Sequence, residues 1–110
     1  MGKYDPELYR IKADFCKTLA DPTRQMMITE LRSGEKTVNQ IAEALEIIQS
    51  AASHHLAILR SKGVVQARRD GANVYYSLVN PEIGEACDMV QDILMKQMAR
   101  NKALADRIMA

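Results

Sequence analysis

Apolar residues between positions 37 and 62 recur with helical spacing, in two short segments. The first segment opens with a capping box, Thr37 followed by Gln40. Its apolar residues then lie three or four positions apart, as on one face of a helix: Val38, Ile41, Ala42 and Leu45. This segment is therefore predicted to be a short helix with one buried face.

A second helix is predicted from about Gln49 to Lys62, with Gly63 as its C-terminal stop. One side of it is apolar: Ala52, Leu56 and Leu59. The other side carries only small or hydrogen-bonding residues: Ser50, Ser53, His54 and Ala57. A helix needs such a row to enter the major groove of duplex DNA and approach base edges. An ordinary solvated face has the same composition, and the position between a capped helix and a hairpin favours recognition.

Residues 64 to 79 have the pattern of a β-hairpin. Residues typical of β-strands flank an Asp-Gly turn signal: Val64, Val65 and Ala67 before it, and Val74, Tyr75, Tyr76 and Leu78 after it. Arg68 and Arg69 directly precede the turn, where they could contact phosphate. The order predicts a mainly α winged helix-turn-helix domain that binds duplex DNA, with the helix-turn-helix at 37–62 and the wing at 64–79.

Helices are predicted on both sides of this unit. The first covers residues 5–20 and the second runs from Asp21-Pro22 to Gly34, each with proline at its first position. The last is predicted as one continuous helix over residues 80–109, with apolar residues along its whole length: Ile83, Cys87, Val90, Leu94, Met98, Ala105 and Ile108. This is more apolar surface than one small domain needs. We therefore expect helices 5–20 and 80–109 to form a dimer interface.

The charges of the last helix are separated along its length. Its first half is acidic, with Glu82, Glu85, Asp88 and Asp92, and its second half is mostly basic, with Lys96, Arg100, Lys102 and Arg107. An antiparallel partner helix would place acid beside base, so we expect a homodimer with antiparallel last helices. The same polarity would also complement the dipole of a lone helix.

Length and composition indicate one soluble domain over residues 1–110. The 110 residues are 47% apolar and 26% charged, with a net charge of +1. Residues 36 to 80 hold five Lys or Arg and three Asp or Glu, so the predicted DNA-binding half is positive. No apolar run could cross a membrane and no signal peptide is visible, so we expect a cytoplasmic protein. No catalytic, cofactor or phosphate-loop motif is present, and we expect no enzyme activity and no cofactor. A winged-helix module that binds proteins instead of DNA is the alternative.

Five segments in order resemble a known family. They are KTLADPTR at 17–24, QSAASHHL at 49–56, LRSKGVV at 59–65, and RDG at 69–71 followed by YSL at 76–78. From about Phe15 to the end of the last helix the chain looks like an ArsR-type winged-helix transcriptional regulator. The resemblance implies a homodimeric repressor released from its operator by an effector. It also implies which residues contact DNA: Gln49, Ser50, Ser53 and His54 for bases, with Arg68 and Arg69 in the wing.

Two positions depart from the family pattern. Glu46 stands where glycine is usual, and Ile48 stands where the family has a serine. Loss of that serine removes a favoured N-cap. The recognition helix could then begin later, capped by Ser50, and in that case Ser50 would not contact a base.

The family's usual metal positions hold no complete ligand set. The last-helix site matches Asn80, Glu82, Ile93 and Lys96, and residues 37–46 contain no cysteine for the other site. The two histidines, His54 and His55, lie in the recognition helix, where we expect one to face the groove and the other to pack inward. We therefore expect no metal at either site.

Cys16 and Cys87 are the remaining candidates for sensing an effector. In the resembled family, the first and last helices, which contain them, form the dimer interface. Three interpretations stay open: reduced apolar residues of the core, a dithiol sensor of thiol-reactive species, or a soft-metal or metalloid site. A contact between the two Cys87 residues of a dimer is a rival to pairing with Cys16.

Overall fold

The computed structural model describes residues 2–110 except the side chain of Ala105. The described elements are α1 (Pro6–Leu19), α2 (Pro22–Leu31), β1 (Lys36–Thr37), α3 (Val38–Leu45), α4 (Gln49–Ser61), β2 (Val65–Asp70), β3 (Asn73–Leu78), α5 (Glu82–Met98) and α6 (Lys102–Met109). This confirms the mainly α fold with a hairpin wing. Met1 and the Ala105 side chain, which belong to the predicted domain and to the predicted apolar row, lie outside the described part.

Aspartate followed by proline starts both of the first two helices, as predicted. Asp5 accepts a hydrogen bond from the backbone N–H of Glu7 at 2.9 Å, and Asp21 accepts one from that of Arg24 at 3.0 Å. The proline follows at the first or second helical position in each case, where its missing N–H costs nothing.

One hydrophobic core joins α2, α3, α4 and the sheet. Its largest fully buried side chains are Met27, Ile28, Ile41, Leu56, Leu59 and Val65. The apolar sides predicted for α3 and α4 are therefore the buried ones. Phe15 and Leu19 of α1 and Ile83 of α5 pack against this core as half-buried residues. The core thus holds α4 in place from its inner side and leaves the outer side to solvent.

The sheet has three strands in the order β1-β3-β2, all antiparallel. Asp70 pairs with Asn73, so the hairpin turns through the two residues Gly71 and Ala72. Gly71 has a φ of 62°, which favours glycine at this position. The hairpin is confirmed, whereas β1 was not predicted, because two residues are too few to show the alternation of a strand.

The last helix is not continuous, and this prediction was wrong. α5 ends at Met98 and α6 begins at Lys102. Asn101 between them has φ −105° and ψ 83°, and its side chain accepts a hydrogen bond from the N–H of Leu104 at 3.4 Å. Asparagine favours such caps over the interior of a helix, because its side chain competes for backbone hydrogen bonds.

A groove of about 870 Å³ lies between α2, the end of α3, α5 and α6. Ile108 of α6 lines it together with Val90 and Leu94 of α5 and Met26 of α2. Ile108 therefore brings α6 back to the groove that α5 borders, although the helix is broken between them.

Arg32 connects α2 to α5 through an ion pair with Asp88. Its side chain crosses α5 at Gly84, where an added Cβ atom would lie only 2.5 Å from Arg32 Nε. The missing side chain of Gly84 therefore provides the space in which Arg32 reaches Asp88.

Candidate nucleic-acid interface

A tight turn at Glu46 sets the direction of the exposed helix α4. Glu46 has φ 56° and ψ 45°, the left-handed conformation that glycine adopts most readily at the end of a helix. The N–H of Ile47 donates to the carbonyl of Ala42 at 3.0 Å, and that of Glu46 donates to Glu43 at 3.2 Å. These two bonds form a Schellman motif that ends α3 and turns the chain into α4.

The helix α4 begins at Gln49, and the expectation of a later start capped by Ser50 is wrong. Ile48 occupies the N-cap position without a side-chain hydrogen bond, and its carbonyl accepts from the N–H of Ala52 at 3.1 Å. The preceding turn and the burial of Ala52 and Leu56 fix the start of the helix, so no side-chain cap is needed. Ser50 is left exposed on the first turn.

The four residues predicted to contact bases lie together on the outer side of α4. Gln49, Ser50, Ser53 and His54 are all exposed. Within the described chain, their side chains take no part in the hydrogen bonds and ion pairs that hold the fold together. Arg60 continues the same row at i+3 from Ala57 and is also exposed. Arg60 was not predicted from the sequence, although extending the helical spacing by one turn would have included it.

The neighbouring histidine, His55, faces inward, as expected for one of the pair. Its Nδ1 lies 3.4 Å from Arg24 Nη1 and 3.9 Å from Asp21 Oδ1. Arg24 Nε also donates to the carbonyl of Thr18 at 2.6 Å. His55 therefore joins α4 to the junction of α1 and α2 and is not available to a ligand of the outer face.

The two wing arginines lie in different surroundings. Arg68 donates to both carboxylate oxygens of Glu35, at 2.6 Å from Nη2 and 3.2 Å from Nε, and its guanidinium lies 4.9 Å above the Tyr75 ring. This contact lowers the pKa of Glu35 and raises the pKa of Arg68, in each case mainly through the hydrogen bonds between them. Arg69 is exposed, and the described residues offer it no acidic partner within 4 Å.

Ion pairs also occupy other basic residues near the recognition helix. Lys36 pairs with Glu30, and Lys62 at the end of α4 pairs with Asp14 of α1 at 2.9 Å. Of the five basic residues between positions 36 and 80, Arg60 and Arg69 are the two without such a pair in the part of the chain that the structure describes. Both lie on or beside the exposed side of α4 and the wing.

Both thiols are free, and they differ in exposure. Cys16 is exposed on α1, and Cys87 is half-buried in the wall of the groove. Burial, and next the charge of Asp88, raise the pKa of the Cys87 thiol, while Arg32 acts in the opposite direction. Among the described residues there is no group of three His, Cys, Asp or Glu arranged to hold a metal ion. No helix there is long and apolar enough to span a membrane.

These features define a winged helix-turn-helix protein. A capped short helix, a tight turn, an exposed polar helix and a two-stranded wing are all built on one core. The family profile described as "Bacterial regulatory protein, arsR family" matches residues 21–67. With the relatives below, this shows that the chain belongs to the ArsR family of winged helix-turn-helix transcriptional regulators.

Several relatives are similar over most of the chain. The uncharacterized HTH-type transcriptional regulator Rv0081 of Mycobacterium tuberculosis is 33% identical over 104 residues, which cover 94% of this chain and 91% of the relative. The transcriptional repressor SmtB homolog of Synechocystis is 40% identical over 84 residues, 76% of this chain and 64% of the relative.

Solved structures agree with the fold. The crystal structure of Rv0081 from M. tuberculosis superposes with a TM-score of 0.73 at 34% identity, covering 96% of this chain and 99% of that one. The homodimeric winged helix-turn-helix DNA-binding domain of Mb0332 from Mycobacterium bovis gives a TM-score of 0.76 at 28% identity, covering 91% and 95% of the two chains.

Proposed function

We propose that this protein is a homodimeric repressor that binds duplex operator DNA through α4 and the wing and is released by an effector. The observation that carries the proposal is the exposed row of polar side chains on α4, held outward by a core that buries the opposite side. The DNA-binding, homodimeric description of the similar Mb0332 domain and the repressor activity named for the SmtB homolog support it.

The outer side of α4 supplies the base contacts in this proposal. The amide of Gln49 can donate to and accept from the edge of an adenine, and the hydroxyls of Ser50 and Ser53 can pair with any base. His54 offers a ring nitrogen as donor or acceptor. The short side chains of Ser50 and Ser53, together with the exposure of all four residues, allow the helix to approach the floor of the major groove.

Phosphate contacts in this proposal come from Arg60 and Arg69. Each is exposed and has no acidic partner within the described residues, so its charge is available to the DNA backbone. Such contacts orient the protein and release counterions without reading sequence. Arg68, predicted from the sequence for the same task, already has its guanidinium held by a carboxylate.

Exposed apolar side chains on α1 and α5 provide the dimer interface that we propose. They are Leu8, Tyr9 and Ile11 on α1, and Met89, Val90, Ile93 and Leu94 on α5. Such a patch on a chain of 110 residues is typical of a surface that another protein covers. A dimer would also present two copies of α4 to two halves of one operator.

The nature of the effector depends on which of the three interpretations of Cys16 and Cys87 is correct. The raised pKa of Cys87 leaves little thiolate at neutral pH, which favours a packing role for that residue. Cys16 is exposed and could meet a thiol-reactive or soft-metal effector. Replacing each cysteine by serine and measuring release from DNA by oxidant, polysulfide and arsenite decides this. Unchanged release in both variants would exclude thiol sensing.

The proposal needs no catalytic group and no cofactor, and it places the protein with the chromosome in the cytoplasm. The alternative is a winged-helix module that binds another protein through the same face. That alternative needs large apolar anchors on the outer side of α4, whereas the side chains there are small or polar. We therefore favour DNA.

Selection of bound fragments from the source genome tests the proposal. We expect enrichment of a short sequence with two-fold symmetry, bound with an affinity that falls steeply as salt rises. On that sequence, Gln49→Ala and Ser53→Ala should each cost about 1–3 kcal/mol of binding free energy per half-site and relax specificity at one base pair in each half-site. Lys3→Ala, a basic residue that precedes α1 and its N-cap, serves as the control. No enrichment and no salt dependence would support the protein-binding alternative.

A further inference from the structure

The outer face of the three-stranded sheet carries a chain of contacts that crosses all three strands. Tyr75 of β3 pairs in register with Thr37 of β1 on one side and with Arg68 of β2 on the other. Residues in register on neighbouring strands point to the same face. Glu35 lies two residues before Thr37, so its side chain reaches that face as well.

The contact between Glu35 and Arg68 has the geometry of a strong ion pair. Two guanidinium nitrogens meet two carboxylate oxygens, at 2.6 and 3.2 Å, which is the bidentate arrangement. The third nitrogen, Nη1, lies 3.8 Å from Asp70 Oδ2, and the Tyr75 ring covers one face of the guanidinium at 4.9 Å. Carboxylates therefore face all three nitrogens of Arg68.

The wing has few other contacts that fix its direction. Its base is anchored by Val65 and Leu78, which are buried in the core. The part from Arg68 to Asn73 is exposed, and β1 supports it with only two residues. The ion pair lies where this support ends, so it connects the free part of the wing to the segment before β1.

We infer that Glu35 and Arg68 are positioning residues that hold the wing at the angle at which Arg69 meets the DNA backbone. Arg69 follows Arg68 and therefore points to the opposite face of β2. A phosphate that took Arg68 would have to replace a bidentate carboxylate and leave Glu35 close to the DNA. The effect on DNA binding rests on the proposed function. The contact between Glu35 and Arg68, called the clamp below, is a property of the free protein.

Hydrogen exchange of the free protein tests the clamp without DNA. Glu35→Gln and Arg68→Ala should each speed the exchange of β2 and β3 amides near the turn, while Arg69→Ala should leave it unchanged. The double variant Glu35→Arg/Arg68→Glu restores an ion pair with the charges exchanged, and it should recover part of the protection. Equal exchange in the wild type and Glu35→Gln would overturn the clamp, whatever the protein binds.

Salt dependence of operator binding tests the role of each arginine. Arg69→Ala should lower affinity and reduce the slope of log K against log salt by about 1.8, because the dimer loses two phosphate contacts at about 0.9 each. Glu35→Gln and Arg68→Ala should lower affinity by about threefold or more with the slope unchanged, and the exchanged pair should recover part of it. A slope reduced by about 1.8 in Arg68→Ala, or tighter binding by Glu35→Gln, would show that Arg68 contacts phosphate. If the wild-type protein shows no salt-dependent binding, the proposed function is wrong, but the hydrogen-exchange result remains valid.

Discussion

Glu46 and Gly63 occupy equivalent positions at the ends of α3 and α4. Both residues are left-handed, with φ of 56° and 75°. The next residue in each case, Ile47 or Val64, donates to a carbonyl five residues back, at 3.0 and 2.9 Å. The same Schellman motif is therefore built once with a side chain at the left-handed position and once without one.

Glu46→Gly is expected to stabilise the protein by about 0.5–1 kcal/mol. A left-handed residue with a Cβ atom costs roughly 1–2 kcal/mol, from which the greater freedom of glycine in the unfolded chain must be subtracted. Gly63→Ala should destabilise by a similar amount, and Glu46→Ala, which removes the charge but keeps the Cβ atom, should give no gain. Urea unfolding of the three variants measures this. A gain from Glu46→Ala equal to that from Glu46→Gly would assign the effect to the carboxylate.

Local signals were sufficient to predict most of the fold. The Asp-Pro pairs located the starts of α1 and α2, and the Asp-Gly pair located the turn of the wing, because each acts within a few residues. The break after Met98 was missed because the apolar spacing continues through it. Asn101 was a visible capping residue, but only the packing of α6 on α5 shows that the chain uses it.

Only the part of the candidate site that depends on local signals was predicted from the sequence. Helical spacing placed Ser50, Ser53 and His54 on one side of α4, and the family resemblance added Gln49; all four are exposed in the structure. The difference between Arg68 and Arg69 could not be predicted, because the partner of Arg68 lies 33 residues away in sequence. The start of α4 also depends on a turn and a buried face, which a search for a side-chain cap does not detect.

Asp21→Ala is expected to destabilise the protein by about 1 kcal/mol at neutral pH through loss of the N-cap of α2. The pKa of Asp21 lies below its ordinary value of 3.8, mainly because the Arg24 N–H donates to the carboxylate. The charged form is therefore favoured by folding, and its contribution is present above the ordinary pKa and is lost as pH falls through the folded-state value.

Unfolding in urea at neutral and at acid pH measures the contribution of Asp21. The difference between wild type and Asp21→Ala should shrink as the carboxylate is protonated. Asp21→Asn keeps an oxygen that can cap the helix but has no charge to titrate. Its difference from Asp21→Ala should therefore stay constant with pH. A wild-type advantage over Asp21→Asn that persists at low pH would contradict the electrostatic explanation.

Asp88→Asn is expected to make the Cys87 thiol react faster at neutral pH. Burial raises the pKa of Cys87 most, and the charge of Asp88 raises it further, so removal of that charge increases the fraction of reactive thiolate. Iodoacetamide labelling in a Cys16→Ser background, followed by peptide mass spectrometry, gives the rate. Asp92→Asn removes an acid of the same helix that does not affect the pKa of Cys87, and it should leave the rate unchanged. Equal rates in both variants would mean that burial alone protects the thiol.

Ile93→Glu is expected to convert the protein from a dimer to a monomer. Met89 and Ile93 lie one turn apart on α5 with 66% and 51% of their surface exposed, so a charge there does not disturb the core. Gln91→Glu places the same charge on the opposite side of the helix and should leave the dimer intact. Sedimentation at micromolar concentration separates the outcomes. A monomeric wild type, or a dimeric Ile93→Glu variant, would exclude this face as the interface.

Charge exchange between Glu82 and Lys96 tests whether the last helices pair in antiparallel orientation. The two residues lie at opposite ends of α5, so one chain cannot bring them together, whereas an antiparallel partner can. Glu82→Lys and Lys96→Glu should each weaken the dimer, and the double variant should recover much of the loss, by about 0.5–1 kcal/mol for each pair. If the charges serve only the helix dipole, each substitution places the wrong sign at one end of α5. The losses of the two single variants then add in the double variant, which recovers nothing. We therefore compare the dimer dissociation constant of the double variant with those of the two single variants. Recovery in the double variant separates the two explanations that the sequence alone left open.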